Sequence, residues 1–423
     1  MQSLKKFNLA DGVNLYHIPT QKFKTSTVTI FIHRQLSKED ATKNALLPYV
    51  LRRGCVSYPN SQAIAQYMES LYGAAFDCGI NKKGESQIIY FSFDVIDEQY
   101  IGDQQALFDK ILRFAKEIIF NPVIESGSFK KEYIEQEKET LKDLINGLMN
   151  NKVSYAVERC FQEMCKNEPF SIYELGNTAD LIKIDEKNLY EYYMSAIYSS
   201  PIDIFVAGNM EEAKVHQLAK ETFDIKLKQE ITYPTTDVSC KVEEVKNVEE
   251  KMEIAQGKLS LGFRTKVTPR DKEYYSLIVY NGILGGGPHS KLFNNVREKM
   301  SLAYYVFSRL EKFKGLLVIS SGIEIQNYQK ALDEILKQIE EIKNGNISDY
   351  EFESTISSSI NSIKSLKDHA LHMTDYYLSQ LVGGTDDSFE DLIGKISAVR
   401  KEDVIAIAQQ IELDTIYFLK NNA

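Results

Sequence analysis

The feature that most limits how this chain can fold is a layout that occurs twice. Ile184-Asp-Glu-Lys-Asn-Leu-Tyr190 leads into Ile202-Asp-Ile-Phe-Val-Ala-Gly-Asn209, and Val399-Arg-Lys-Glu-Asp-Val404 leads into Asp414-Thr-Ile-Tyr-Phe-Leu-Lys-Asn421. Each is a capped helix followed by one short strand. Leu71-Tyr72, ahead of a strand pattern at 87–95, likewise parallels Ala303-Tyr304, ahead of one at 315–322. A duplication of ~200 residues accounts for both correspondences better than two unrelated domains.

The elements between these anchors support the same division. Residues 11–34 read as a hairpin: Gly12 opens Val13–Ile18, Pro19 ends it, and the β-branched run Thr25–His33 follows. Helical spacing covers 40–53 and 61–72, where Ile64, Met68 and Leu71 share a face behind Ser61 as a cap and Gly73 stops the run. In 87–95, Ile89, Phe91, Phe93 and Val95 alternate as a half-buried strand. Helices are predicted near 104–119 and 126–164, and from the Asp185 cap through Ile197, with a strand at 201–208. The polar stretch 224–252, containing Pro234, has little periodicity and reads as a linker. The order then restarts with a strand at 258–264, a helix at 271–284, a strand at 315–322 and helices at 327–344 and 348–380. Helices and strands grouped in this way predict an α+β fold rather than a parallel βαβ sheet. The expected bounds are 1–225 for the first domain, 226–252 for the linker and 253–423 for the second domain.

Charge excludes two classes of partner. A net charge of −10 argues against a nucleic-acid groove, which needs clustered Lys and Arg, and against an anionic membrane surface. The five cysteines (Cys55, Cys78, Cys160, Cys165, Cys240) are odd in number and form no C-x-x-C. They suit reduced thiols better than a disulfide framework or a cysteine zinc site. With no apolar run approaching ~18 residues and no apolar segment at the start, the expectation is a soluble cytoplasmic protein.

The densest chemical signal is Leu284-Gly-Gly-Gly-Pro-His-Ser-Lys-Leu-Phe-Asn-Asn-Val-Arg-Glu-Lys-Met-Ser-Leu-Ala-Tyr-Tyr-Val306. Gly285, Gly286 and Gly287 break an apolar run, a helix-like segment follows, and Arg297 and Tyr304 are natural donors to a carbonyl or carboxylate. The turn lacks the spacing of a phosphate loop, so the glycines alone read as a tight turn that lets a helix pack close to a sheet. Of the six histidines only His369 and His372 are close in sequence, near Asp368 and Asp375, and zinc would need a third protein ligand that nothing indicates. There is no G-x-S-x-G, and no cysteine stands beside a histidine. Arg52 and Arg53 read as surface charge, and the run Glu132–Glu139, alternating with lysines, reads as a solvated helix face. Ala74–Gly79 is an edge-strand candidate.

Over nearly the whole chain, the layout resembles the insulinase and mitochondrial-processing-peptidase (M16) family of inverse zinc metalloproteases. The resemblance rests on Gly285-Gly-Gly-x-x-Ser-Lys-Leu-Phe-x-x-Val-Arg-Glu-Lys-x-x-Leu-Ala-Tyr304 and on the stretch from Leu175 to Asn209. It implies a metalloprotease-like fold of two homologous α/β-sandwich domains, each a mostly antiparallel mixed sheet with helices packed on it. Members carry H-x-x-E-H on a helix of the first half and an Arg/Tyr pair in the second. Here that helix falls on Ala45-Leu-Leu-Pro-Tyr49, so Ala45, Pro48 and Tyr49 stand where two His ligands and the Glu base belong. Glu135 is the expected remnant of the third ligand. No H-x-x-E-H or H-E-x-x-H occurs elsewhere, so no catalytic residue, metal or other cofactor is expected. Arg297, Tyr304 and the three glycines are then expected to face a peptide or a partner. Edge strand 74–79 lies where members add a substrate strand. The resemblance implies a non-catalytic subunit that pairs with a catalytic H-x-x-E-H homologue and helps bind or position peptide. A different implied role is a metal-free peptide-binding or scaffolding homodimer that holds peptide or unfolded polypeptide, accessory to modification of a translation factor. A third is an active zinc endopeptidase with unrecognised ligands.

Overall fold

Alternating strands need sheets to pair in, and this chain builds two, each in its own unit. The structure is a computed structural model that describes residues 4–101, 106–227 and 231–421. Unit 1 consists of Met1–Asn146, Ile172–Thr235 and Asp368–Tyr377, and unit 2 of Gly147–Ser171, Thr236–Lys367 and Leu378–Ala423. The units therefore interleave in sequence. Among the described residues no helix is long and apolar enough to cross a membrane.

The sheet of unit 1 uses β1 (Lys5–Ala10), β2 (Val13–Pro19), β3 (Thr25–Gln35), β4 (Ala75–Lys83) and β5 (Ser86–Ile96). A two-residue ladder, β6 (Ile124–Glu125) with β7 (Ser128–Phe129), stands apart, and β8 (Ile202–Gly208) rejoins the main sheet. The order is β1-β2-β8-β3-β5-β4, with β2 and β8 parallel and the other pairs antiparallel. The expected hairpin over 11–34 is therefore not formed, because β8 lies between β2 and β3. The physical reason is burial. Ile202-Asp-Ile-Phe-Val-Ala-Gly208 is buried at every position, so it takes a central slot where both of its edges are paired.

Helices cover the apolar face of this sheet. They are α1 (Ala41–Leu51), α2 (Ser61–Ser70), α3 (Leu107–Phe120) and α4 (Lys131–Gly147). In α3, Leu107, Ile111, Phe114, Ala115 and Ile118 form one buried stripe at helical spacing. The single helix expected over 126–164 is broken twice. Gly127, at φ +79°, turns the β6–β7 ladder, and Asn151 ends the next break by capping α5 (Lys152–Met164) through the Ser154 N–H at 3.1 Å. α6 (Thr178–Ile182), α7 (Glu186–Ala196) and α8 (Glu212–Thr222) complete the first half. Asp185 caps α7 as expected, in a reciprocal capping box with Asn188.

Unit 2 repeats the plan with β9 (Lys246–Lys251), β10 (Gly257–Arg264), β11 (Ala303–Glu311), β12 (Leu316–Ile323) and β13 (Glu412–Lys420). Its order is β11-β12-β10-β13-β9, with β13 and β9 parallel and the rest antiparallel. Apart from the extra β1, order and strand sense match those of unit 1, as a duplication requires. β9 falls inside the stretch read as a linker. Lys-Asn-Val-Glu-Glu-Lys is an edge strand whose charged residues are mostly exposed, so it carries almost no apolar signal. β11, absent from the sequence reading, is another half-exposed edge strand.

The helices of unit 2 are α9 (Tyr274–Gly285), a π-helix (Leu292–Lys299), α10 (Tyr328–Lys343) and α11 (Asp349–Leu366), then α12 (Ala370–Gly383), α13 (Phe389–Ser397) and α14 (Lys401–Ala408). The helix expected over 348–380 is thus two. α11 closes where the Lys367 N–H reaches back to Lys364 and Ser365, and the first residues of α12 belong to unit 1. The start of α11 is fixed by a capping box in which Ser348 accepts from the Glu351 N–H at 3.2 Å and Glu351 accepts from the Ser348 N–H at 2.8 Å. Ser348→Ala is expected to lower stability by about 1 kcal/mol, read as a lower urea midpoint at unchanged slope. A midpoint equal to wild type would show that the box carries no net stability.

Each unit holds a buried polar network of its own. In unit 2, α5 packs beneath the sheet, and Gly262 gives it room, since a Cβ there would meet Met164 Sδ at 2.8 Å. The buried Arg264 donates to Asp414 Oδ2 at 2.8 Å, to Glu168 Oε1 at 2.6 Å and to the Met164 carbonyl at 3.1 Å. The fully buried Lys314 reaches the other Glu168 oxygen at 2.8 Å. In unit 1, Asp203 shares a 2.9 Å hydrogen bond with His33 Nε2 and accepts from Tyr233 OH at 2.8 Å and Asn14 Nδ2 at 3.1 Å. Gln35 clasps both backbone groups of Thr235, at 3.1 and 3.2 Å, so 231–235 is tied to the unit 1 sheet.

Candidate functional site

The helix on which the resemblance places the zinc ligands is α1. Ala45, Pro48 and Tyr49 fall at i, i+3 and i+4, which places them on one helical face. Ala45 is fully buried and bears no donor atom. Pro48 sits inside the helix, where it offers no N–H. Its carbonyl accepts from the Arg52 N–H at 3.0 Å and lies 3.3 Å from Cys78 Sγ on β4. Burial raises the Tyr49 phenol above its ordinary pKa, and Cys78, Asp77 and Glu137 push it further, so it stays protonated. Burial likewise pushes the Cys78 thiol up to about 12.

The carboxylate that faces this helix is not Glu135. Glu135 is exposed and pairs with Lys138 at 3.6 Å along its own helix. Glu137 is the buried carboxylate of α4, and the Arg53 guanidinium donates to it through Nε. Of the glutamates in the run Glu132–Glu139, all are therefore solvated except Glu137, and Arg53 is an ion-pair partner rather than free surface charge. A readable signal pointed there: Ile134, Glu137 and Leu141 share the apolar stripe of α4. Arg52 stays at the surface, donating to the Phe76 carbonyl at 3.2 Å with its guanidinium 5.5 Å from the Phe76 ring centroid. The candidate edge strand Ala74–Gly79 falls in β4, which ends the sheet and pairs with β5 alone.

Zinc does not fit this donor set. Two of the positions have no ligating atom, the third is a neutral phenol, and the nearby carboxylate already holds a guanidinium. Among the described residues no group of three or more His, Cys, Asp or Glu converges anywhere. His369 and His372 lie edge to face, 4.8 Å apart, while Asp368 and Asp375 are engaged by Lys22 at 3.1 Å and Lys83 at 2.7 Å.

In unit 2 the glycine turn packs rather than opens. A Cβ on Gly285 would stand 2.5 Å from the Ser308 backbone nitrogen of β11, and one on Gly286 would meet Gly282 Cα at 2.7 Å. Gly287 faces the His289 ring, 3.1 Å from where its Cβ would be. None of the three has positive φ, so close approach is what they supply.

Two local irregularities then present Arg297 and Tyr304. Arg297 rides on the π-helix, a wide form found mostly as short segments at functional sites. Its guanidinium lies 4.7 Å from the Phe293 ring centroid, 41% of its side chain is exposed, and its ion partner Glu298 is 3.6 Å away. Tyr304 is the extra residue of a β-bulge: Ala303 pairs with Ile323 and Tyr305 with Gly322, leaving Tyr304 between them. It is 54% exposed and makes one long hydrogen bond, 3.4 Å to Glu324. The sequence motif marks these two residues, but neither the π-helix nor the bulge has a periodicity that reveals it in advance.

Comparisons with known proteins agree with this geometry. Residues 183–359 match the family described as "Peptidase M16 inactive domain". The chain is 37% identical to the Bacillus subtilis protein named "Probable inactive metalloprotease YmfF" over 409 residues, 97% of this chain and 96% of the relative. The crystal structure of a conserved protein from Enterococcus faecalis superposes with a TM-score of 0.92 at 32% identity, covering 99% of both chains. A protease from Helicobacter pylori shares the fold, with a TM-score of 0.83 at 16% identity over 99% of this chain and all of the other. This chain belongs to the M16 peptidase family, and its α1 carries Ala45, Pro48 and Tyr49 in place of an H-x-x-E-H set.

Proposed function

We propose that this protein is a non-catalytic M16-like subunit that pairs with a catalytic H-x-x-E-H homologue and helps bind or position its peptide substrate. The observation that carries the reading is the contrast between the two units. α1 has lost every donor a metal needs, while the π-helix and the bulge keep Arg297 and Tyr304 exposed and weakly engaged. A guanidinium with parallel N–H donors and a phenol suit a peptide carbonyl. Co-purification with a catalytic homologue tests the proposal. Arg297→Ala and Tyr304→Phe are each expected to lower the kcat/KM of the complex for peptide by on the order of 10²-fold, the usual cost of removing a donor to a reacting carbonyl. Cleavage at the wild-type rate by both variants would remove the proposal.

One observation favours a second reading, in which the chain alone, or as a homodimer, holds peptide without cleaving it. β4 is an outermost strand and can accept an added strand. Saturable peptide binding by the isolated protein that survives Arg297→Ala would favour it. Both readings are for a cytoplasmic protein with reduced thiols, in keeping with its five free cysteines.

A further inference from the structure

Within unit 2, α9, α11 and α13 meet around an open cleft of about 260 Å³. Ile278, Ile363, Leu392 and Ile396 give it aliphatic walls, and the turn after α9 closes one end through Gly286 and His289. Gly282 is what lets α9 and α11 come this close, because a Cβ there would meet Thr355 Cγ2 at 2.3 Å.

Polar atoms are unpaired at this floor. Asn281 Oδ1, His289 Nε2 and Thr355 Oγ1 are each buried without a hydrogen-bond partner, and all three residues line the one cleft. Thr355 is 1% exposed and His289 9% exposed. A threonine within a helix can bond its hydroxyl back to a carbonyl three or four residues earlier, yet the Thr355 hydroxyl makes no such bond. Each unpaired group carries a desolvation cost that a partner would recover. Three such residues around one cleft therefore form a latent recognition surface, which rotation of the Thr355 hydroxyl and the Asn281 amide can turn toward an occupant.

The lining also selects against charge. It contains no Lys, Arg, Asp or Glu, and its remaining polar members are Ser358, Ser359 and Ser362 on α11. Burial holds the His289 imidazole below its usual range, with nearby Glu351 opposing, so it is neutral at pH 7. No Phe, Tyr or Trp lines the cleft to stack a base or a sugar.

We propose that this cleft is a binding site for a small uncharged molecule that carries an amide or hydroxyl group beside a branched aliphatic portion. Thr355, His289 and Asn281 would meet its polar group, and the four aliphatic residues its hydrocarbon.

The test uses the full chain and N-acetyl-L-leucinamide, a neutral probe of about twelve non-hydrogen atoms, followed by calorimetry or by ligand-observed NMR at pH 7. A probe of this size at ordinary ligand efficiency is expected to bind with Kd on the order of 1 mM. Thr355→Val keeps the shape of the floor and removes the hydroxyl, so Kd should rise roughly tenfold. Ser359→Leu fills the cleft from a good helix-forming position, so saturable binding should disappear while the melting temperature of the free protein holds or rises. Zwitterionic leucine should bind at least tenfold more weakly than the neutral amide, since its charges find no partner in the cleft. The proposal is overturned by an absence of saturable binding up to about ten times the expected Kd. It is equally overturned by undiminished binding to Ser359→Leu, or by leucine binding as tightly as the amide.

Discussion

Arg264→Met is expected to destabilise unit 2 by roughly 3–5 kcal/mol, because it strips the arginine countercharge from the buried Asp414 and leaves Glu168 with Lys314 alone. Arg264 is 2% exposed and satisfies Asp414, Glu168 and the Met164 carbonyl together. The replacement fills similar space, so packing loss is small and the unpaired charges dominate. The pH dependence separates this cause from a packing defect. Burial pushes Glu168 upward, but hydrogen bonds and charge from Arg264 and Lys314 more than offset it and hold the carboxyl below its ordinary range. A carboxylate whose folded pKa is depressed adds stability that is complete above its unfolded value, near 4.3, and is lost as pH falls through the lower folded value. The gap between wild type and Arg264→Met should therefore be widest near pH 6–7 and shrink as acid protonates the site. Urea melts at several pH values measure it. A gap constant down to pH 3 would assign the loss to packing.

The second large effect concerns metal. Restoring the three family side chains with Ala45→His, Pro48→Glu and Tyr49→His supplies two imidazoles and a base on one face of α1. A protein zinc site still needs a third ligand. Glu137 is the buried carboxylate near this face, and it is held by Arg53. The triple variant is therefore expected to hold well under one zinc per chain after dialysis, and the quadruple variant with Arg53→Ala to hold about one. Elemental analysis gives the count, and zinc-dependent rise of the melting temperature gives an independent readout. Full occupancy of the triple variant would show that Arg53 is no obstacle. The Arg53 guanidinium is the countercharge of Glu137, which explains how this carboxylate stays buried.

How much of this was legible follows from what each element buries. β5, β8, β10 and β12 are buried along most of their length, and their β-branched and aromatic residues stand out in the sequence. Asp185 and Ser348 announce their helices, because a cap is a local bond between residues three apart. Pairing is not local. Nothing in Val13–Gln35 says that Ile202–Gly208 will come between its two strands, since that choice depends on burial supplied by distant residues. β9 and β11 were missed because edge strands carry half or less of the apolar signal. The sequence reading points to Glu135 alone, because α4 is so heavily charged that its narrow buried stripe of Ile134, Glu137 and Leu141 shows only once it is traced. The Arg297 and Tyr304 motif was visible as letters, while the wide helix turn and the bulge that expose its two side chains were not.

The interleaving of the units has a consequence for how such a chain arises and how it can be cut. Gly147–Ser171 belongs to unit 2 and Asp368–Tyr377 to unit 1, so each copy of the repeat gives the other a stretch from the same place in its own plan. A single copy alone would have an orphan helix and a sheet missing its cover. Two separate copies would satisfy each other only by trading that segment, as a domain-swapped dimer does. Fusion of the copies makes the trade internal and independent of concentration. A protease cut in the stretch between the halves would leave two fragments still holding each other's helices, a nicked pair rather than two domains set free.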